Sequence, residues 1–538
     1  MSLAKNLLDR FSKIESQRSN YNSTWQVLGD YVMPNRVDFD IERSPGDVRN
    51  KKLYDTTAIH ANQLLSATLH GGVTNASSDW FDLAFEDISI MTDASKRFLS
   101  QAKKELVKVL NSTTGSFQGQ AHEFYLSLVC FGTAVMFIEE DDTGKINFAT
   151  LHLSEIFIGE NAYGQVDTVF RKFKLTPRQA VQMWGADNLH PRLLEDVERN
   201  PDEKYDFIHA ALPKIDLKDE PEKNKKFPIS SVYIDVKNQH VVSKGGFMEM
   251  PYVVARFEKL AGEVYGRSPA WHALSDIRMI NAMSKSIIRS AQLQTSPPLL
   301  VADDGVMMPL EARPNGMIIG GINGLDGTPR VAPLNVGGSL GVGVELLQQR
   351  QASIRNAFFI DPLMFREGTP ATATEQLQRQ EEKLRLLSPH IVRIQSEFLN
   401  PLMKRVFGLL VRSNKVGEVP QELSKSSLKI EYKSPLIRLQ KAGEIQALGR
   451  FLQSVGPLIQ MKPDSLDIVN IDEVMAKMAE ATGLDISVLR SSNDIANIRQ
   501  AREQQMQQQQ ALNQAEQMSN IAKQGGPALN DLLGGGNE

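Results

Sequence analysis

Residues 337–341 read Gly-Gly-Ser-Leu-Gly, the G-x-S-x-G spacing in which Ser339 could attack an acyl carbonyl, and Asp361 and His390 follow in the chain order of a hydrolase triad. A nucleophile elbow needs a strand before it and a helix after it, within an alternating strand–helix pattern. A helical pattern follows, but no such alternation surrounds the motif. His390 also comes directly after Ser388-Pro389, which reads as a kink or break in a helix. A hinge opening a helix explains the glycines with fewer demands.

Other chemistry has less to build on. The nine histidines are scattered without an H-E-x-x-H pair, and the single cysteine, Cys130, can form neither a zinc cluster nor an intrachain disulfide. Glu139-Glu140-Asp141-Asp142 gathers four carboxylates that could hold a hard cation, but without the spacing of a calcium loop they fit a solvated hairpin tip. No G-x-x-x-x-G-K-[ST] stretch occurs, and Gly341-Val342-Gly343 lacks the third glycine of a dinucleotide loop. The expectation is a protein that is not an enzyme, with no catalytic residues, cofactor or metal.

What remains is charge in a helical array. Arg278, Lys285 and Arg289 are seven and four apart, one face of a helix, opposite Ile280 and Ile287. On a later helical segment Gln348 and Arg355 repeat the seven-residue spacing. In a lone chain this is a solvated face; in a ring each positive residue becomes a circle of charge.

The elements that would hold these residues can be read from pattern. A chain of 538 residues needs two to four structural units, and 41% hydrophobic with 23% charged residues is ordinary for a folded protein. A net charge of −4 argues against a protein that coats nucleic acid. The apolar run Leu126–Ile138 is too short to span a bilayer, and the N-terminus reads as an amphipathic helix of the mature protein. That helix carries Leu3, Leu7, Leu8, Phe11 and Ile14; a second is expected around 24–32, and a third from Thr56 to Leu69, stopped by Gly71-Gly72. A hairpin turning at Asp142-Thr143-Gly144 opens a β-rich stretch that includes SSVYIDV and PYVVARFE. Residues 216–227 read as an exposed charged loop.

Two helical segments, 269–294 and 344–359, flank a Pro- and Gly-rich excursion with strand-like runs PLLVA and GMIIG, and are expected to pack as an antiparallel pair. Asp361 to Thr372 then forms a small, weakly charged loop ahead of a long helix, whose start is marked by the capping-box spacing of Thr372 and Glu375. A further helix is expected after Tyr432, and the Gln-rich C-terminus is either disordered or a helix stable beside copies of itself.

Several ordered segments point to a family. RSNYNSTWQVLGDYVMPN has an Arg, a Trp and then Tyr-x-x-Pro. LYDTTAIHANQLLSATLHGGVTNASSDWFDL opens with Tyr-Asp-x-Thr and closes on a Trp-Phe pair. YGRSPAWHALSDIRMINAM with SPPLLVADDG, ATATEQLQRQ, and VLRSSNDIANIRQAREQQ complete the set. With these, over most of its length, the chain resembles the portal, or head-to-tail connector, proteins of short-tailed bacteriophages.

The resemblance implies an α+β, predominantly helical subunit of a ring, usually a homo-dodecamer, at one capsid vertex. It implies a wing (1–268), a first stem helix (269–295), an α/β clip (296–338), a second stem helix (339–360), a tunnel loop (361–372), a long wing helix and return strand (373–439), and a crown with a Gln-rich candidate barrel (440–538). Double-stranded DNA would pass through the centre, driven by a separate terminase. Capsid, scaffolding and tail adaptor proteins would be the other partners, with no membrane involved. The protein would reside in the virion, and in the host cytoplasm during assembly.

On this reading Arg366, Glu367, Gly368, Thr369 and Thr372 meet the moving duplex. One Arg366 per subunit, offset by Glu367, can touch phosphates and still release them. Arg278, Lys285, Arg289, Gln348 and Arg355 line the lumen or the subunit interface. The competing readings are another structural phage component, a tail adaptor or scaffold, and a serine hydrolase built on Ser339.

Overall fold

The structure, a computed structural model, describes most of residues 2–433, together with 498–510, 512–515 and a few single positions. Outside the described residues lie chiefly 40–45, 47–52, 86–92, 218–225, 302–330, 334–339, 361–385, 421–427, most of 434–494, and 516–538. The chain divides into two compact units, Met1–Gln440 and Lys441–Glu538. In the second, residues 498–510 of the Gln-rich end are helical and exposed.

The first unit mixes helix and sheet, and opens with one helix where sequence pattern suggested two. α1 (Leu3–Val32) is capped by Ser2 and runs unbroken through Asn20, Asn22 and Ser23. Tertiary burial overrides the weak propensity of those residues: Leu7 and Phe11 on one side of them, and Trp25, Leu28 and Val32 on the other, are all buried. α2 (Thr57–Val73) likewise passes through Gly71-Gly72 and ends at Thr74. Each glycine costs about 1 kcal/mol in a helix, and burying Leu69 and Val73 offsets that.

β1 (Phe81–Phe85), α3 (Asp93–Leu110) and α4 (Phe117–Phe131) follow. β2 (Thr133–Glu140) and β3 (Ile146–Leu151) form the expected hairpin. At its tip Asp141 accepts hydrogen bonds from Thr143 N (2.9 Å), Thr143 Oγ1 (2.6 Å), Lys145 N (2.9 Å) and Asn147 Nδ2 (3.4 Å), which hold its carboxyl at a pKa of about 2. The carboxylate of this acidic run is thus committed to shaping the turn.

Next come β4 (Ile156–Glu160), β5 (Val166–Leu175), α5 (Pro177–Trp184), α6 (Pro191–Arg199), β6 (Tyr205–Pro213), β7 (Ile229–Asp235), β8 (His240–Phe247) and β9 (Tyr252–Arg256). Strands β4 to β8 form a five-stranded antiparallel sheet in chain order, while β9 joins the hairpin in the order β3-β2-β9. α7 (Pro269–His272), α8 (Leu274–Thr295), β10 (Leu299–Val301), β11 (Val331–Pro333) and α9 (Leu340–Ala357) lead to α10, helical over 386–412. β12 (Leu428–Tyr432) returns to pair with β1.

α10 corrects another expectation. The helix continues through Pro389, and its irregularity is a π turn at Gln395–Leu399, where Asn400 N–H bonds the Gln395 carbonyl. The cause is Pro401, which cannot donate to residue 397 and whose ring crowds that carbonyl; a widened turn relieves both.

The main core packs α2, α4 and α10 with β2 and β9. A second core lies between the first half of α1 and one face of the five-stranded sheet, through Phe157, Phe170, Ile208 and Val232. α1 thus contributes to both.

Candidate functional site

α8 and α9 are antiparallel neighbours. Arg350 Nη1, late in α9, bonds Asp276 Oδ1, early in α8, at 3.1 Å, and Ile287 packs over Gly343. Between them in sequence, β10 and β11 pair antiparallel.

Burial is confined to the inner end of this hairpin. Ile277, Ile280, Asn281 and Ser284 of α8 and Ile354 of α9 are buried, and beyond Ser284 no residue of α8 is. Met279, Ile288, Val342 and Leu346 are 44–60% exposed. Arg278, Lys285 and Arg289 are exposed along one face of α8, opposite Ile280, and Lys285 Nζ stands 5.6 Å from the Tyr54 ring. On α9, Gln348 is exposed and Arg355 half-buried. All five residues are therefore helical, and the three basic residues of α8 lie on the face opposite Ile280. Arg366, Glu367, Gly368, Thr369 and Thr372 lie outside the described residues, as do Ser339, Asp361 and Glu375.

Sequence reasoning missed the residues that join the hairpin to the core. Asn281 Oδ1 accepts hydrogen bonds from Tyr54 N (2.9 Å) and Asp55 N (3.2 Å), and Asn281 Nδ2 donates to the Ile277 carbonyl (2.9 Å). Asp55 Oδ1 caps α2 by accepting from Thr57 N (2.8 Å), and its Oδ2 accepts from Gln351 Nε2 (3.0 Å). The available signal was an asparagine beside the apolar stripe of Ile277 and Ile280.

A second joint lies where α9 ends. Phe359 has φ +58°, the left-handed region that a bulky residue enters at a cost of about 1–2 kcal/mol. Its ring meets His390 of α10 at 5.6 Å, and His390 stacks on Phe257 at 4.3 Å. His390 Nδ1 bonds the Phe257 carbonyl at 3.2 Å, and burial pushes the imidazole pKa down. In a triad this nitrogen would donate to a carboxylate; here a backbone carbonyl holds it.

α10 is fixed further along by charge. Arg256 donates to both carboxylate oxygens of Glu397 in the π turn, from Nε at 3.1 Å and Nη2 at 2.8 Å, and also pairs with Glu160, which Lys259 meets at 2.7 Å.

A sequence model described as "Bacteriophage head to tail connecting protein" matches residues 4–489. The chain belongs to this family. Among head-to-tail connecting proteins it is 28% identical to the portal protein of Salmonella phage epsilon15 over 98% of this chain and 95% of that one. It is 26% identical to the probable portal protein of Bordetella phage BPP-1, over 95% and 92%. The portal protein of Enterobacteria phage T3 is 21% identical, over 72% of this chain and 69% of its own.

The connector-like motifs acquire physical roles in this fold. Arg18 Nη1 donates to the carbonyls of Leu153 (2.9 Å) and Ile156 (2.5 Å), Nη2 donates to that of Ser154 (3.0 Å), and the guanidinium lies 3.8 Å from the Phe157 ring. Trp25 Nε1 and Ser268 Oγ donate to the Phe131 and Cys130 carbonyls, at 3.1 and 2.7 Å. Gly132, at φ +82°, and Gly266 pass so closely that a Cβ on either would lie 2.3–2.4 Å from the other's carbonyl oxygen. Trp25 and the Gly-Arg-Ser-Pro stretch thus bind the end of α4, while Arg18 binds the turn between β3 and β4. Among the described residues no helix is long and apolar enough to cross a membrane.

Proposed function

We propose that this connector acts as a phage portal: a ring, usually twelve subunits in this family, through which double-stranded DNA enters the capsid and later leaves it. The observation that carries the reading is the outer half of the α8–α9 hairpin. Its amphipathic helices leave Ile288, Val342 and Leu346 exposed beside a basic face. A lone chain leaves such a surface uncovered; neighbouring copies in a closed ring cover it.

In this reading α8 and α9 are the stem, and 296–338 is the clip that meets terminase and then tail. Residues 361–372 are the tunnel loop, and the remainder forms wing and crown. Arg278, Lys285 and Arg289 either face the lumen, as rings of charge that steady the duplex without gripping it, or pair with acids of the adjacent subunit. The chain's net charge of −4 is multiplied by the subunit number, so attraction to DNA is local. The engagement of His390 by the Phe257 carbonyl weighs against the serine hydrolase.

Negative-stain microscopy with native mass spectrometry of the purified full chain tests the proposal. Rings of about twelve subunits around a central hole are expected. A compact dimer without a channel, with Ser339 labelled by a fluorophosphonate, would overturn it.

A further inference from the structure

We propose that Asn281 and Asp55 are positioning residues that set the direction in which the α8–α9 hairpin leaves the core. Apolar contact at the inner end, through Ile277, Ile280 and Ile354, brings the helices to the core but is non-directional and tolerates rotation. The polar joint does not. One buried side-chain oxygen of Asn281 accepts two consecutive backbone N–H groups at the head of α2, and the Asp55 carboxylate divides its oxygens between α2 and Gln351 of α9. Each bond restricts angle as well as distance, and together they tie three helices at one point.

The direction matters because of leverage. From Asn281 to its last residue, Thr295, α8 runs about 21 Å, so a tilt of roughly 10° at the joint would move its far end by about 4 Å. Beyond Ser284 α8 buries no residue that could correct such a tilt. The consequence for a ring rests on the portal reading: the tilt would be repeated in every subunit, so a loose joint yields channels of mixed width. The joint itself does not rest on that reading.

Hydrogen–deuterium exchange on the full chain tests it. Asn281→Ala is expected to speed exchange in peptides from 274–295 and 340–357 by at least about tenfold, as expected when a buried donor pair loses its acceptor. Peptides from α4 and β2 should keep wild-type rates. Gln351→Ala, which removes one bond to Asp55 and keeps Asn281, should give the same regional pattern at smaller size, and it serves where Asn281→Ala does not fold. Unchanged hairpin exchange in both variants would overturn the proposal. So would a rise shared equally by α4 and β2, which would make the joint a general stabiliser. A wild-type chain that forms no rings, yet shows the regional pattern, would sink the portal reading and leave the joint standing.

Discussion

At its inner end the α8–α9 hairpin places Ile277, Ile280 and Ile354 out of solvent, while further along the same helices Ile288 and Leu346 are 45% and 44% exposed. Both ends carry apolar residues at helical spacing. They differ in what their own chain offers as a partner: the inner end meets α2 and the main core, whereas among the described residues the outer end meets its antiparallel mate. An amphipathic pattern reports that a face is to be covered, and is silent on whether the cover comes from the same chain or from another copy.

Three variants sharpen that contrast, in order of expected effect on the stability of the isolated subunit. Glu397→Ala acts at the anchored side, where α10 meets β9. It removes the bidentate partner of Arg256, whose side chain is 3% exposed, and should destabilise by about 3 kcal/mol in chemical denaturation. A loss below about 1 kcal/mol would mean that Glu160 alone suffices for Arg256.

His209→Gln comes second and is read through pH. His209 is buried between Tyr252 Oη (2.5 Å) and Ser231 Oγ (2.8 Å) and stacks on Tyr233, and burial lowers its pKa from 6.5 to about 3. Between those values the unfolded chain binds a proton that the native state refuses. This contribution to stability is therefore whole above pH 6.5 and lost progressively toward pH 3, by at most about 1.4 kcal/mol per pH unit. The variant should be less stable than wild type at pH 7.5 but show a flatter decline from pH 6.5 to 4; an identical slope would show that other groups govern the acid limb.

The smallest effect on the subunit belongs to the outer hairpin. Ile288→Ser with Leu346→Ser should change monomer stability by less than about 0.5 kcal/mol, while sedimentation shows rings lost or weakened. If the melting temperature of the monomer fell by several degrees instead, these residues would be covered within their own chain.

Much of the architecture was legible because its signals are local. The β2–β3 hairpin announced itself through alternation and Thr143-Gly144, and the segments of α8 and α9 through their apolar period. The errors share a cause. Asn20 to Ser23, Gly71-Gly72 and Pro389 are local stop signals, and packing at Trp25, Val73 and Leu387 overrode each of them. Conversely, Pro401 acted on the turn before it, where Glu397 is also engaged by distant Arg256. The basic face of α8 could be placed from spacing alone. Asn281 and Asp55 could not be recognised as partners, since a hydrogen bond across 226 residues leaves no periodic trace.

α1 also carries a consequence for the order of folding. Its first turns cover a sheet whose strands are made much later: Phe11 leaves the ribosome 146 residues ahead of Phe157 and 221 ahead of Val232, its neighbours in the second core. At about 5–20 residues per second, Leu7 and Phe11 wait roughly 10 to 40 s for that cover, an interval in which a nascent chain is exposed to chaperones and to its own copies.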